Sequence, residues 1–253
     1  MIIIKKIKDW KSLRVSNSLK NKTLGFVPTM GALHRGHIEL VKKSLRQNDI
    51  TVVSIFVNPT QFNNKADLQN YPVTINSDIK ILDELNVNYL FLPEYKELYP
   101  DDYKYKITET DFSKLLCGRF RPGHFDGVLT VVMKLFNIIK PDRAYFGEKD
   151  YQQLELIRGM VKNFFMDIKI ISVPTVRDKD GLALSSRNLR LNAIQRKIAP
   201  KFPEILMSDL SIEQIKSRLV SEGFKVEYVE QIGDRRFAAV YLGKVRLIDN
   251  VKI

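Results

Sequence analysis

Two of the chain's three histidines stand three residues apart in "TMGALHRGH" (29–37), as His34 and His37. Such a pair in a chain this poor in histidine could serve a metal, a phosphate or a proton transfer, or simply sit on a polar surface loop. A metal would need a third and fourth ligand; His124 and Cys117 are the remaining candidates, and no acidic or histidine cluster adjoins the pair. The phosphate reading has more behind it. "TLGFVP" (23–28) reads as a strand and "IELVKKSLRQ" (38–47) as a helix, which makes the loop between them a βα turn. In an open α/β sheet such turns lie at the carboxyl ends of the strands, where ligands bind. His37 then falls at a helix N-terminus, whose unpaired N–H groups and dipole favour an anion. Gly31 and Gly36 let the backbone approach a ligand closely. The turn is neither G-x-G-x-x-G nor a G-x-x-x-x-G-K-[ST] loop, so the cradle expected here adds imidazole donors to backbone ones.

Two more stretches point the same way. "YFGEKDYQQ" (145–153) puts Gly147, Glu148, Lys149 and Asp150 directly after a strand-like run, again at a βα turn. Lys149 there is a mobile point charge for phosphate oxygens; without an anion, a cation at a helix start is unfavourable by roughly 0.3–1 kcal/mol. "LALSSRN" (182–188) adds the hydroxyls of Ser185 and Ser186 and the guanidinium of Arg187 in a turn-rich segment. Together these groups would surround a triphosphate.

The elements that must carry them alternate. "ITVVSIFVN" (50–58), "VNYLFLP" (87–93), "RAYFG" (143–147) and "IKIISVP" (168–174) are nearly continuous apolar runs, the pattern of strands buried on both faces of a parallel sheet. Helical faces lie between them: Ile38, Val41 and Leu45; Ile75, Ile79 and Leu82, opened by Thr74; Val128 to Ile139, stopped by Pro141; Leu154, Ile157 and Val161. This predicts an α/β fold with a doubly wound, Rossmann-like parallel sheet over residues 1–175. From residue 176 the texture becomes polar and turn-rich. Helices through "NAIQRKIA" and "SIEQIKSRLVSEG", the latter between Ser211 and Gly223, precede two alternating strand-like runs, "FKVEYVEQI" and "RFAAVYLGKVRLI". Residues 176–253 are expected to form a second, smaller α+β C-terminal domain acting as a lid.

Composition narrows the class. The chain has 253 residues, 44% of them hydrophobic, with no apolar run near the roughly 20 residues that cross a bilayer, so no membrane partner is expected. "MIIIKKIKDW" has its lysines after a three-residue apolar stretch, the reverse of a secretory signal. A single cysteine rules out an internal disulfide, and a reducing cytoplasm is the expected setting. The net charge of +12 invites a nucleic-acid reading. The lysines are scattered rather than blocked together, however, which suits a solvated basic surface that attracts anionic substrates. No nucleic-acid partner is expected.

With these residues in view, "VPTMGALHRGH", "VSIFVNPTQF", "RPGHFDGVLTVVMKLFNIIKPDRAYFGEKDYQQL" and "DGLALSSRN" closely resemble the pantoate–β-alanine ligase family, in order from about residue 20 to 200 and again in the closing "VRLIDN". "HRGH" and "LSSR" also resemble the HIGH and KMSKS-type signatures of the wider nucleotidyltransferase superfamily. The resemblance implies that pantoate carboxylate attacks the α-phosphorus of ATP, giving pantoyl adenylate and pyrophosphate, and that β-alanine then displaces AMP. It implies cytoplasmic homodimers that use ATP and Mg²⁺. By position, Met30, Gly31, Ala32, Leu33, His34, Arg35, Gly36 and His37 would hold ATP, with His37, His34 and Lys149 catalytic. Gly147, Glu148, Lys149 and Asp150, and Leu184, Ser185, Ser186 and Arg187, would also bind ATP, and Val176 would line the adenine pocket. Gln61 and Gln153 would bind pantoate, with Asn58 beside them. Arg121 falls in the family's active-site flap. Asp78 falls where an acidic residue often occurs, either a metal ligand or a solvated residue in a helix's first turn. From about residue 203 to 240 the chain reads as shorter than the family's usual C-terminal domain. The readings to be set against this one are another adenylyltransferase of the same superfamily and a basic RNA-binding module.

Overall fold

The computed structural model describes residues 1–16 and 19–253. Its main body is a six-stranded, wholly parallel sheet: β1 (Ile2–Ile4), β2 (Leu24–Thr29), β3 (Ile50–Ile55), β4 (Tyr89–Phe91), β5 (Arg143–Gly147) and β6 (Lys169–Val173). The spatial order is β1-β4-β3-β2-β5-β6. From β2, chain order runs outward through β3 and β4 on one side and β5 and β6 on the other, with β1 added outside β4, and the switch point lies between β2 and β5. "TLGFVP" is the second strand, not the first: the short β1, hidden in the N-terminal "III", pairs with the β4 edge.

The continuous apolar runs have a direct cause. Leu24, Phe26, Ile50, Val52, Phe91, Ala144 and Phe146 project into one core. Their alternates Val27, Val53, Ile55, Leu90, Tyr145 and Val173 project into another on the opposite face. The helices α1 (Ile7–Arg14), α7 (His124–Ile139) and α8 (Tyr151–Asn163) cover the first face, through Trp10, Val128, Val132, Leu135 and Leu154. The helices α2 (Arg35–Gln47) and α4 (Ile75–Glu84) cover the second, through Leu40, Val41 and Leu82. Shorter helices α3 (Lys65–Gln69), α5 (Tyr95–Leu98) and α6 (Leu116–Phe120) fill the connections.

Residues 176 onward carry α9 (Ala193–Ile198), α10 (Lys201–Leu206) and α11 (Ile212–Ser221), packed on an antiparallel sheet of β7 (Lys225–Ile232), β8 (Arg235–Leu242) and β9 (Val245–Lys252). Ser211 caps α11 as expected, and Gly223 (φ +88°) ends it. The run "RFAAVYLGKVRLI" is two strands rather than one, because Gly243 takes φ +60° and closes a two-residue hairpin, as Gly233 does between β7 and β8. One face of this sheet has its own core around Phe202, Leu219, Val240 and Leu247. The other contributes Tyr228, Phe237 and Ala239 to the main core. Polar ties reinforce the C-terminal unit internally and across that contact. Arg177 pairs bidentately with buried Asp249 at 2.6 and 3.0 Å, and Asn250 Nδ2 donates to the carbonyls of Glu148 and Lys149, both at 2.9 Å.

Candidate active site

The loops leaving β2 and β5 diverge at the switch point and open a cleft of about 240 Å³. Met30, His34, Gly36 and His37 enter it from the β2 turn, and Gly147, Lys149 and Asp150 from the β5 turn. Gln153 comes from the start of α8, Asn58 and Gln61 from the turn after β3, and Arg121 from the segment before α7. Val176, Leu184, Ser185, Ser186 and Arg187 close it from the C-terminal side. Val176 and Leu184 are neighbours because the Leu184 N–H donates to the Val176 carbonyl at 3.0 Å.

His34 and His37 form a reciprocal cap on α2. The Nδ1 of His34 accepts the Gly36 N–H at 3.1 Å, and the Nδ1 of His37 accepts the His34 N–H at 3.4 Å. With both Nδ1 atoms accepting, each imidazole carries its proton on Nε2. The rings lie 4.1 Å apart. Burial pushes His34 down to about 4, and the Lys149 ammonium adds to this. His37 is pushed down to about 3, by burial first and His34 second. At neutral pH both are uncharged donors held in place by the backbone. Lys149, mostly buried, lies 3.8 Å from Asp150. Neighbouring protein atoms would raise the carboxyl of Asp150, whose side chain is half-exposed, but the charges of Lys149, Arg187 and Arg121 outweigh that and hold it low.

The β2 turn owes its shape to Asp78. Its carboxylate accepts the N–H groups of Ala32 (2.9 Å) and Leu33 (2.8 Å) and the Thr74 hydroxyl (3.1 Å). Ala32 has φ +50°, a backbone state that costs roughly 1 kcal/mol or more outside glycine and is compensated by these charge-assisted bonds. The expectation of a solvated Asp78 is therefore corrected. It is buried at 1% exposure with both oxygens engaged by the loop. Thr74 opens α4 in position only, since its hydroxyl serves Asp78 rather than the helix backbone.

Asn58 also acts through a neighbour. It is 1% exposed. Its Oδ1 accepts from the hydroxyls of Thr60 and Tyr99, and its Nδ2 donates to Gly127 O and to Gln61 Oε1, both at 3.1 Å. Asn58 thus aims Gln61, whose own Nε2 points to Met30 Sδ at 3.0 Å and is left as the donor for a ligand. Val128, Val131, Val132 and Leu135 of α7 form an apolar floor nearby.

Gly31, Ala32, Leu33, Arg35 and Glu148 do not line the cleft. The first three hold the turn, Arg35 pairs with Asp178 at 2.9 Å, and Glu148 meets Asn250 through its carbonyl. Three site features escaped sequence reasoning because their partners are remote in the chain. Asp67 in α3 pairs with Arg187 and Arg190, each at 2.8 Å. His124 donates from Nδ1 to the Gln61 carbonyl at 2.8 Å. Gln152 accepts the Cys117 N–H and donates to the carbonyls of Phe112 and Leu115, fixing the flap segment.

Known proteins resemble this chain over nearly its whole length. A family model described as pantoate-beta-alanine ligase matches residues 2–252. The pantothenate synthetase of Bdellovibrio bacteriovorus is 56% identical over 231 residues, covering 91% of this chain and 92% of that protein. The pantothenate synthetase of Legionella pneumophila strain Lens is 52% identical over 251 residues, covering 99% of each. The crystal structure of pantoate-beta-alanine ligase from Francisella tularensis, complexed with beta-gamma ATP and beta-alanine, superposes with a TM-score of 0.95 at 49% identity, covering 100% of this chain and 97% of that one. Against these relatives the C-terminal tail, expected to be short, is of ordinary length.

Proposed function

The chain belongs to the pantoate–β-alanine ligase family and condenses pantoate with β-alanine at the expense of ATP; from that premise we propose a two-step route through pantoyl adenylate in the cleft between β2 and β5. The observation that carries this reading is the convergence of two neutral, pre-aimed imidazoles, Lys149 and the Ser185–Arg187 turn on one cavity. Transfer at phosphorus is chiefly a matter of positioning and of stabilising charge on oxygens. His34, His37, Lys149, Ser185 and Arg187 supply fixed donors for the phosphates, with the α-phosphate near the N-terminus of α2. The adenosine lies toward Val176 and Leu184.

Pantoate rests its dimethyl carbon on the α7 floor, with Gln61 and Gln153 orienting its oxygens. Neutral amides hold a carboxylate without quenching the charge that makes it a nucleophile. One carboxylate oxygen attacks the α-phosphorus and pyrophosphate departs. The β-alanine nitrogen then attacks the acyl carbon, a C–N bond forms, the C–O bond to AMP breaks with its electron pair on the phosphate oxygen, and the ammonium proton passes to solvent. The C-terminal unit from residue 176 acts as a lid that shields the anhydride from water.

Mg²⁺ suits this donor set. The half-exposed carboxylate of Asp150, lining the cleft beside Lys149, would stand next to a cation carried on phosphate oxygens and water. Bound there, it would neutralise charge on the polyphosphate. We place the enzyme in the cytoplasm as a homodimer. The test is ATP–pyrophosphate exchange: it should require pantoate, and AMP release should then require β-alanine. Exchange without pantoate, or AMP retained in the product, would refute the reading.

A further inference from the structure

Arg121 supports a reading that rests on the ligase function above. Its guanidinium borders the cleft and also a second, larger cavity of about 640 Å³ beneath β8 and β9. Its Nε donates to Asn63 Oδ1 (3.3 Å), its Nη1 to His124 Nε2 (2.9 Å) and its Nη2 to the Gln61 carbonyl (3.4 Å). None of these partners is an anion. His124 is neutral, pushed down to about 3 by burial and then by Arg121 itself. Because His124 Nδ1–H is given to the Gln61 carbonyl, its Nε2 accepts from Arg121 and fixes the guanidinium.

The other two cations lining the cleft each have a carboxylate, Lys149 with Asp150 and Arg187 with Asp67. Among the described residues, Arg121 has none within 4 Å. Burial and then the positive charges of Arg187 and Arg246 lower it to about 10, against weaker opposing contributions from Cys117 and Asp67, so no carboxylate in contact offsets the cations around it. A partly buried guanidinium in that state is a ready fork for a carboxylate.

The reaction has one charged group still to be matched. The phosphates face Lys149, Ser185 and Arg187, and the pantoate carboxylate must stay reactive between the glutamines. We infer that Arg121 holds the carboxylate of β-alanine, with the amine directed past Gln61 at the acyl carbon. The larger cavity is then the route by which this short amino acid enters. A two-carbon spacer between amine and carboxylate matches an anchor that sits one hydrogen bond from the Gln61 backbone.

The experiment measures acyl transfer to β-alanine and to propylamine, which replaces the carboxylate with a methyl group. It compares the wild type, Arg121→Gln, which keeps a donor for the Gln61 carbonyl, and Arg121→Lys, which keeps the charge. The preference for β-alanine in kcat/KM should fall at least about a hundredfold in Arg121→Gln, the scale of losing one side of a buried charge pair. Arg121→Lys should recover part of it, and the KM for β-alanine should rise more than those for ATP and pantoate. An undiminished preference in Arg121→Gln overturns this inference alone. So does an equal loss for both amines and for pyrophosphate exchange, which would make Arg121 a strut for residues 58–63. A wild type without pantoate-dependent exchange overturns the ligase reading and this one with it.

Discussion

His37 serves α2 with one nitrogen and the cleft with the other, and the two roles can be separated. Its Nδ1 accepts the His34 N–H at 3.4 Å, a capping contact whose loss costs about 0.5–2 kcal/mol of stability. Its Nε2–H is the proposed donor to the α-phosphate, and losing one such donor typically costs about 10²–10³ in rate. His37→Ala removes both. His37→Gln restores the cap, since glutamine three residues into a helix reaches back through Oε1 to the N-cap N–H, and that turn carries its amide donor away from the place the ring held for Nε2. Thermal melts should therefore show His37→Gln recovering most of the stability lost in His37→Ala. Pantoate-dependent ATP–pyrophosphate exchange should stay at least a hundredfold down in both. The pH profile adds a second check. With His37 held down to about 3 and His34 to about 4, both are neutral from pH 8 to 5, so neither should give exchange a limb near 6.5. Exchange within fivefold of wild type in His37→Gln would remove the imidazole from the mechanism. A rate that climbs on acidification through 6.5 would show the charged form at work.

Asp78→Ala strands two buried N–H groups, at about 1–3 kcal/mol each; chemical denaturation should show that loss, and the Mg²⁺ concentration giving half-maximal rate should stay put, whereas a tenfold shift in it with stability intact would restore a metal role. A β-carbon added at Gly127 would stand 2.4 to 2.6 Å from the backbone of Thr60 and Gln61, an overpacking of about 1–3 kcal/mol, so Gly127→Ala should raise the pantoate KM at least tenfold; equal effects on ATP and pantoate would count against the Gln61 assignment. His34, His37 and His124 all have folded pKa values depressed below 6.5. They contribute fully above 6.5 and lose that contribution as pH falls toward 4, because the unfolded chain takes up protons first. The slope is up to about 1.4 kcal/mol per pH unit for each. Urea midpoints at pH 7.5, 6 and 5 should fall in step, and a flat series would contradict the burial of the imidazoles.

Much of the site was legible before folding was considered. The apolar runs and helical stripes predicted a doubly wound parallel sheet, because strands buried on both faces must be apolar throughout. Once strands and helices alternate, strand-end turns become neighbours, and "ALHRGH", "GEKD" and "LSSR" can be read as one site from their chemistry alone. What stayed hidden rests on partners that no local pattern announces. Three apolar residues at 2–4 carry no period from which to infer an edge strand. In "RFAAVYLGKVRLI" the alternation runs straight through Gly243, so only the positive φ there reveals the hairpin.

The sequence by itself determined which side chains could meet a polyphosphate and which edge of the sheet would present them, since both follow from residue type and periodicity. Tertiary structure alone decided how each group is held: the neutral, Nε2-protonated imidazoles, the carboxylate of Asp78 turned inward to the loop, Asn58 serving Gln61, and Arg121 hydrogen-bonded to neutral partners rather than to a carboxylate. Protonation, tautomer and pairing depend on burial and on groups tens of residues away, and those are properties of the packed chain that spacing along it does not encode.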